Sequence, residues 1–456
     1  MLDDTIIAIS TPPGYGGLGI VRLSGRRALS IVKKIFRPRR KKWHDIGPRF
    51  CVLGDLFDSE KNELVDEAFF CYFPAPSSYT KENVVEISCH GSPVVLEEVV
   101  RLGVRAGARP AHPGEFTLRA YLGGRIDIIQ AEAVNDLITA TSLHQAKISS
   151  GQLRGGLSRH IDSLRGQVVD LISLLEASIE FPEENLGISP DEATRSLKNI
   201  LRAVERLIAS YETGRAMTGG LNLAIVGRAN VGKSTLFNAL LDHERAIVSP
   251  YPGTTRDYIR ERIKIKDSFF HLIDMAGLGR PMHPVERDGI RVGRELASRS
   301  DGLLLVLDAS RRQSPADLEL IEKYKDKKMI LVFNKADLPG KIDRKKCLAL
   351  SPSSRSIAVS ALKGTNIARL KNAIRATFMP RQDGREEVVL HLRQRLLFEQ
   401  IGTALEEASK HLREGYSEEV CAEEVRRALP FIGQLTGEVR VDEVIENIFG
   451  RFCVGK

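Results

Sequence analysis

The stretch LNLAIVGRANVGKSTLFNAL, residues 221–240, constrains this chain more than any other. It reads as an apolar strand, then Gly227-x4-Gly232-Lys233-Ser234, then an apolar pattern of helical period. Glycines let backbone N–H groups close around phosphate oxygens. The helix that follows points the positive end of its dipole at them. Lys233 adds a point charge for the β- and γ-phosphates, and the Ser234 hydroxyl suits Mg2+. Asn230, Val231, Gly232 and Thr235 are counted with the nucleotide contacts. A strand–loop–helix of this kind belongs to an open α/β sheet, whose ligands sit beyond the strand C-termini.

Three further signatures follow in chain order. Asp274-Met275-Ala276-Gly277 ends the apolar run FFHLID, which sets Asp274 near Mg2+ and the Gly277 N–H near the γ-phosphate. Asn334-Lys335-Ala336-Asp337 ends MILVFN. A carboxylate at Asp337 accepts from the N1–H and 2-amino groups of guanine, a donor pair that adenine lacks. Val359-Ser360-Ala361, with Leu362 beyond it, ends the next strand and backs the guanine O6 through a main-chain N–H. Each later motif alone is weak; four in the right order predict a GTPase. Between the first two lies SPYPGTTRDY, residues 249–258. Ser249, Pro250, Tyr251, Pro252, Gly253, Thr254 and Thr255 are its expected nucleotide contacts, and Thr255 would complete the Mg2+ shell. Such a loop orders with the γ-phosphate and relaxes after hydrolysis. Leu278 follows Gly277, so no Gln there orients the attacking water, and no intrinsic arginine finger is evident.

The rest of the chain must house this insert. At 456 residues it exceeds what one core usually serves, and roughly 100–200 residues per domain predicts two to four domains. Residues 1–118 read as α+β, with strands at 5–10, 19–25, 51–57, 67–73 and 83–88 and helices near 27–36 and 93–106. From about 129 the period changes. Leu153, Leu157, Ile161, Leu164, Val168, Leu171 and Leu175 form one apolar face of a long helix. Pro182 is expected to end it. Further stripes run through Leu197, Leu201, Val204 and Ile208, and through Leu397, Ile401, Leu405, Ala408 and Leu412. Stripes on both sides of the insert predict one helical bundle interrupted at about 217–379.

Composition excludes other classes. Hydrophobic residues at 42% and charged ones at 28% are ordinary for a globular chain and argue against disorder. No run of about 18 apolar residues predicts a membrane span, and the N-terminal MLDDTIIAIS does not read as a leader. Six scattered cysteines fit reduced thiols in a cytoplasmic protein rather than a disulfide framework or zinc site. The net charge of +8 permits an RNA or phosphate partner without demanding one. KKIFRPRRKK, residues 33–42, holds seven basic residues in ten and is the only dense cluster. It reads evenly as a solvated loop or a phosphate-binding patch.

The longer strings carry a more specific resemblance. TPPGYGGLGIVRLSG, SYTKENVVEISCHGS, HPGEFTLRAYLGGRIDIIQAEAVNDLI and the terminal FCVGK are similar to signatures of the MnmE (TrmE) family of tRNA-modification GTPases. The resemblance covers essentially the full length. It implies a multidomain α/β and α+β architecture: a folate-binding-like, dimerising α+β domain (1–118), a helical domain in two parts (119–216 and 380–456), and an inserted Ras-like GTPase domain (217–379). It implies a homodimer working with the FAD- and NADH-using partner MnmG (GidA) in a heterotetramer or larger complex. Together they add an aminomethyl or carboxymethylaminomethyl group to carbon 5 of the wobble uridine of certain tRNAs. A tetrahydrofolate derivative, in the 5-formyl or 5,10-methylene form, supplies the one-carbon unit.

Residue roles follow position by position from the resemblance. Asn230, the main-chain oxygens of Ser249 and Tyr251, and Thr254 match the family's K+ contacts. A monovalent cation beside the phosphates substitutes physically for an arginine finger. Glu286 matches the glutamate that orients water, and is otherwise a solvated helix charge beside Arg287. Arg22, Glu86 and Lys456 match folate-site residues. Arg22 and Lys456 read otherwise as surface cations, and Glu86 as a buried, paired carboxylate. Arg125 stands where the family commonly has Lys, keeping charge but not geometry. Met275 replaces the usual Thr and Gly279 an Arg. Cys453 reads as a catalytic thiolate beside Lys456 or, more plainly, as a packed tail residue. The alternative from another class is a ribosome-assembly RNA-binding GTPase, which shares the Asn-containing P-loop; a scaffold with a degenerate nucleotide site is disfavoured by intact Lys233, Ser234 and Asp337.

Overall fold

The computed structural model describes residues 4–180, 188–218, 220–241, 259–266, 268–274, 297–379, 388–439 and 442–455. It divides into two compact units. One comprises Met1–Thr139, Ser149–Val204 and Leu397–Lys456; the other Ala140–Ile148 and Glu205–Leu396.

The first unit begins with β1 (Ile6–Ile9), β2 (Gly16–Ser24), α1 (Ala28–Ile35), β3 (Phe36–Pro38), β4 (Val52–Asp58), β5 (Glu63–Phe73), β6 (Val84–Gly91), α2 (Pro93–Arg105) and β7 (Arg109–Pro110). The seven strands form one sheet in the order β3-β4-β5-β6-β2-β1-β7. Alternation makes β4 one-sided: Val52, Leu56 and Asp58 are buried while Leu53 and Phe57 are less so. On the covered face, Ile31, Val32 and Ile35 of α1 and Leu96, Val99 and Leu102 of α2 pack on Val21, Leu23, Val85 and Ile87. All five predicted strands are present. Two short ones, β3 and β7, escape a pattern search because each is brief and contains proline. Both are edge strands, where a missing N–H costs least.

The helices α3 (Glu115–Leu122), α4 (Ile128–Ile138), α5 (Leu143–Leu153), α6 (Gly156–Glu180) and α7 (Pro190–Thr218) follow. The predicted stripe is broken once. Leu153 ends α5, Gly155 takes φ +80, and α6 starts at Gly156. A left-handed residue ends a helix cheaply only when it is glycine. From Leu157 to Leu175 the stripe is the buried face of α6 as read. Helices Glu418–Arg426 and Ala428–Thr436 pack against α6, and Leu397, Ile401, Leu405 and Ala408 are buried along Leu392–Glu414. Pro182 lies outside the described residues.

The second unit holds β8 (Leu221–Val226), α8 (Lys233–Leu241), β9 (Ile259–Ile265), β10 (Ser268–Asp274), β11 (Gly302–Asp308), β12 (Met329–Asn334) and β13 (Arg355–Ala358). The sheet order is β13-β12-β11-β8-β10-β9, all parallel except β9 against β10. Both faces are covered. Leu223, Ile225, Leu304, Val306, Ile330 and Val332 face one core. Their neighbours Ala224, Val226, Leu303, Leu305, Leu331 and Phe333 face the other. Strands buried on both sides read as unbroken apolar runs, as LNLAIV and GLLLVLD do.

Candidate functional site

The C-terminal ends of β8, β10, β12 and β13 carry the nucleotide motifs. Val226 ends β8, and the phosphate loop follows into α8. Gly232 takes φ +93, and a Cβ there would run into Asn334 Nδ2. A side chain at this position would therefore be strained by its backbone and would clash besides. Asn230 also adopts a left-handed conformation, φ +62, which asparagine tolerates better than most residues. Ser234 and Thr235 are exposed in the first turn of α8, where a helix leaves its main-chain N–H groups without an intrahelical acceptor. The Lys233 ammonium donates to the main-chain oxygen of Arg228 at 2.8 Å, across the loop. Burial lowers its pKa, and the nearby Asp274 carboxylate works the other way. Asp274 is 2% exposed at the end of β10.

One buried amide ties the loop to the far motifs. Asn334 Nδ2 donates to the main-chain oxygen of Val231 at 2.9 Å, and its Oδ1 accepts from the Ala361 N–H at 3.0 Å. Lys335, at φ +63, donates to the main-chain oxygen of Asn230 at 2.9 Å and to Asp308 Oδ2 at 2.7 Å. Burial acts to raise the Asp308 pKa, but the Lys335 and Ser310 hydrogen bonds hold it below the ordinary carboxylate value. Ala336 N–H bonds the Val359 oxygen at 3.0 Å. Asp337 is exposed, with its carboxyl lowered first by a hydrogen bond from the Ser360 hydroxyl. Leu362 is 80% exposed beside them. The structure thus brings together Asn230, Val231, Gly232, Lys233, Asn334, Lys335, Ala361 and, through Lys233, Asp274. Ser249 to Thr255, Met275, Ala276, Gly277 and Glu286 lie outside the described residues. Asp308 was missed by motif reading. Its signal was an acid closing an apolar strand, the same placement as Asp274.

The second candidate region lies on the sheet face opposite α1 and α2. Ala8, Arg22, Glu86 and Cys71 stand in one row across β1, β2, β6 and β5. Arg22 donates from Nε and Nη2 to Glu86 Oε1 at 2.9 and 2.7 Å. Its guanidinium sits 5.6 Å from the Tyr79 ring and 5.7 Å from Phe116. Arg125 flanks the same Tyr79 ring at 4.8 Å and donates to the Tyr79 oxygen at 3.0 Å. The C-terminal tail comes to the end of β1: Ser10 Oγ donates to the Gly455 oxygen at 3.1 Å, and Val454 bridges to Pro113. Cys453 is exposed, and Lys456 lies outside the described residues. The sequence did not announce the Arg119 network beside the Arg22–Glu86 pair. Arg119 binds Asp4, Glu82 and Glu115 at 2.6, 3.1 and 2.9 Å.

Among the described residues no group of three or more His, Cys, Asp or Glu forms a metal cluster. No helix among them is long and apolar enough to cross a membrane.

Residues 5–125 match the family "GTP-binding protein TrmE N-terminus", and residues 128–453 match "MnmE helical domain". Proteins called tRNA modification GTPase MnmE are similar from end to end. That of Syntrophus aciditrophicus is 38% identical over 100% of both chains. That of Aquifex aeolicus is 38% identical over 99% of this chain and 100% of the other. That of a Thermoanaerobacter species is 40% identical over 100% of both. Among solved structures, the G domain of the T. maritima FeoB iron transporter is 26% identical, covers 34% of this chain and 98% of that one, and has a TM-score of 0.27. The family is settled by matches that span the chain from end to end: this protein is a member of the MnmE (TrmE) tRNA-modification GTPases.

Proposed function

We propose that the GTPase of this tRNA-modifying protein runs on the residues gathered at the strand ends of β8, β10 and β12. The observation that carries the assignment is the Asn334 staple between Val231 and Ala361. It supports a single site with phosphate at one end and guanine at the other. Lys233 and the α8 N-terminus hold the phosphates. The Ser234 hydroxyl and the Asp274 carboxylate are hard oxygen donors that suit Mg2+, with Thr255 as a further ligand. Asp337 reads guanine, with Ser360, Ala361 and Leu362 around the base.

We assign K+ to Asn230 with Ser249, Tyr251 and Thr254, and the orientation of water to Glu286. K+ supplies positive charge near the phosphates when bound, and two G domains of a homodimer would meet around it. On the N-terminal sheet, the reading places a tetrahydrofolate derivative beside Arg22, Glu86, Arg125 and Lys456. Two guanidinium groups around one Tyr79 ring form a donor set that suits an aromatic ligand with carboxylate ends. Cys453 is left with a role in tail packing or as a thiol at that site. The domain limits of 118, 216 and 379, a cytoplasmic location, and joint work with the FAD- and NADH-using MnmG at the wobble uridine complete the reading.

Mass spectrometry of wobble nucleosides from a deletion strain is the direct test. Loss of the 5-aminomethyl-type modification, restored by the wild-type gene, is expected; unchanged nucleosides would sink the proposal. GTP hydrolysis faster in KCl than in NaCl is expected for the purified protein, and equal rates would remove K+ from the scheme.

A further inference from the structure

Only the second half of the basic run at residues 33–42 is a loop, from Arg39 to Lys42. Lys33 and Lys34 close α1, and Arg37 lies in β3 at the edge of the sheet. Arg39 is neutralised by Asp55 and Glu67. Among the described residues no acid pairs with Arg37, Arg40, Lys41 or Lys42, and all four are exposed. Arg37 lies 3.5 Å over the Phe57 ring, and Lys41 lies 5.6 Å from the Phe50 ring.

Phe50 makes this more than a solvated edge. Its neighbour Trp43 packs inward on Phe36 and Phe70, with ring centroids 6.1 and 5.3 Å apart. Phe50 instead is 62% exposed. The backbone holds it there. Arg49 takes φ +65, costly for a residue with a Cβ, and is pinned by its N–H to the Tyr72 oxygen at 2.8 Å. Its guanidinium also reaches the Ser77 oxygen at 3.3 Å. One or two lysines suffice to keep a sheet edge from pairing with another chain. Four exposed cations without an acidic partner, one of them beside an aromatic ring held in solvent, exceed that need.

We propose that the strap from β3 to Phe50 is a tRNA-binding surface. Arg37, Arg40, Lys41 and Lys42 contact backbone phosphates, and an unpaired base stacks on Phe50. Cations alone would fit any polyanion. The exposed ring selects a partner with aromatic faces, which favours RNA over an acidic protein or an anionic membrane. The proposal rests on this protein's acting on tRNA, and it names where that tRNA touches the N-terminal sheet.

The test uses the full-length protein and an unmodified tRNA transcript, with binding followed by fluorescence anisotropy between 50 and 200 mM KCl, a range in which roughly −0.7 to −0.9 in log–log slope per phosphate contact is resolved. The triple change Arg40→Gln, Lys41→Gln, Lys42→Gln should flatten the slope by about 2 and weaken binding about tenfold or more at low salt. Phe50→Ala should weaken binding about tenfold and leave the slope unchanged. GTP hydrolysis without tRNA should be unaltered in both variants, and a wild-type circular dichroism spectrum and thermal melt show that the N-terminal sheet folds. Unchanged tRNA affinity and slope in the triple variant would overturn the proposal. So would an effect confined to vesicles of phosphatidylserine and phosphatidylcholine. Wobble-nucleoside analysis of cells carrying the wild-type gene reads the tRNA role separately. Normal modification there, with unchanged binding by the variants, rejects the strap alone.

Discussion

Lys335 and Asp308 meet at 2.7 Å between the ends of β12 and β11, while the same ammonium donates to the main chain of Asn230. The phosphate loop is thereby tied to the ends of β11 and β12 by contacts within the protein. Asn334 makes a parallel tie one residue earlier. Preorganisation of this kind lowers the cost of ordering loops around a ligand.

Asn334→Ala removes a buried amide and leaves its two partners, the Val231 oxygen and the Ala361 N–H, to find others. Each unsatisfied buried group costs about 1–3 kcal/mol. Guanine-nucleotide affinity should fall by at least tenfold, read by fluorescent GDP titration. Gly232→Ala, which drives a methyl into the same amide, should match it. Wild-type affinity in either variant would show that the staple does not shape the site.

Asp337 stands exposed with its carboxylate already favoured by the Ser360 hydroxyl. Asp337→Asn replaces two acceptor oxygens by one acceptor and one donor, so it no longer matches the guanine edge. It should still bind xanthine nucleotides, whose ring presents an oxygen in place of the 2-amino group. Competition between GTP and XTP measures the exchange. Retained preference for GTP would place base reading elsewhere.

The nucleotide site was readable because its chemistry is local. Gly232, Lys233 and Ser234 are consecutive, and each later motif ends an apolar run. The Lys335–Asp308 tie was not readable, since its partners lie 27 residues apart and meet only through parallel strand order. Arg22 and Glu86 were seen singly as candidates, and their pairing emerges from antiparallel register alone. The break at Gly155 was missed because the leucine spacing continues across it. Periodicity reports which side chains face a core, not whether the backbone between them is unbroken.

Acid stability should depend on Glu115, which is 4% exposed. Burial works to raise its pKa, but Arg109, the His112 N–H and Arg119 outweigh it and hold the carboxyl below its ordinary value. A depressed folded-state pKa contributes stability above the unfolded pKa, and that contribution is lost as pH falls through the folded value. Glu115→Gln should therefore cost about 3 kcal/mol at pH 7 by leaving two arginines underpaired. The gap to wild type should close as pH falls below about 4, where the unfolded carboxyl protonates. Thermal melts across pH 7 to 3 check this. A constant gap would mean that packing, not charge, sets the loss.

The Arg22–Glu86 pair decides how a folate could bind. Glu86 occupies Arg22 with two hydrogen bonds to one oxygen, which leaves its Oε2 without a bond from that guanidinium. If Glu86 accepts from a pterin ring, Arg22 serves to hold the carboxylate aimed. Glu86→Gln, nearly identical in shape, should then weaken 5-formyltetrahydrofolate binding by about tenfold, as expected when a charge-assisted hydrogen bond is lost. Arg22→Met should weaken it too, because the carboxylate loses its anchor. The opposite pattern is diagnostic. If a ligand carboxylate must displace Glu86 from Arg22, Glu86→Gln frees the guanidinium and tightens binding, while Arg22→Met abolishes it. Titration calorimetry of the two variants separates these cases, and tighter binding by Glu86→Gln would turn Glu86 from a ligand contact into a competitor.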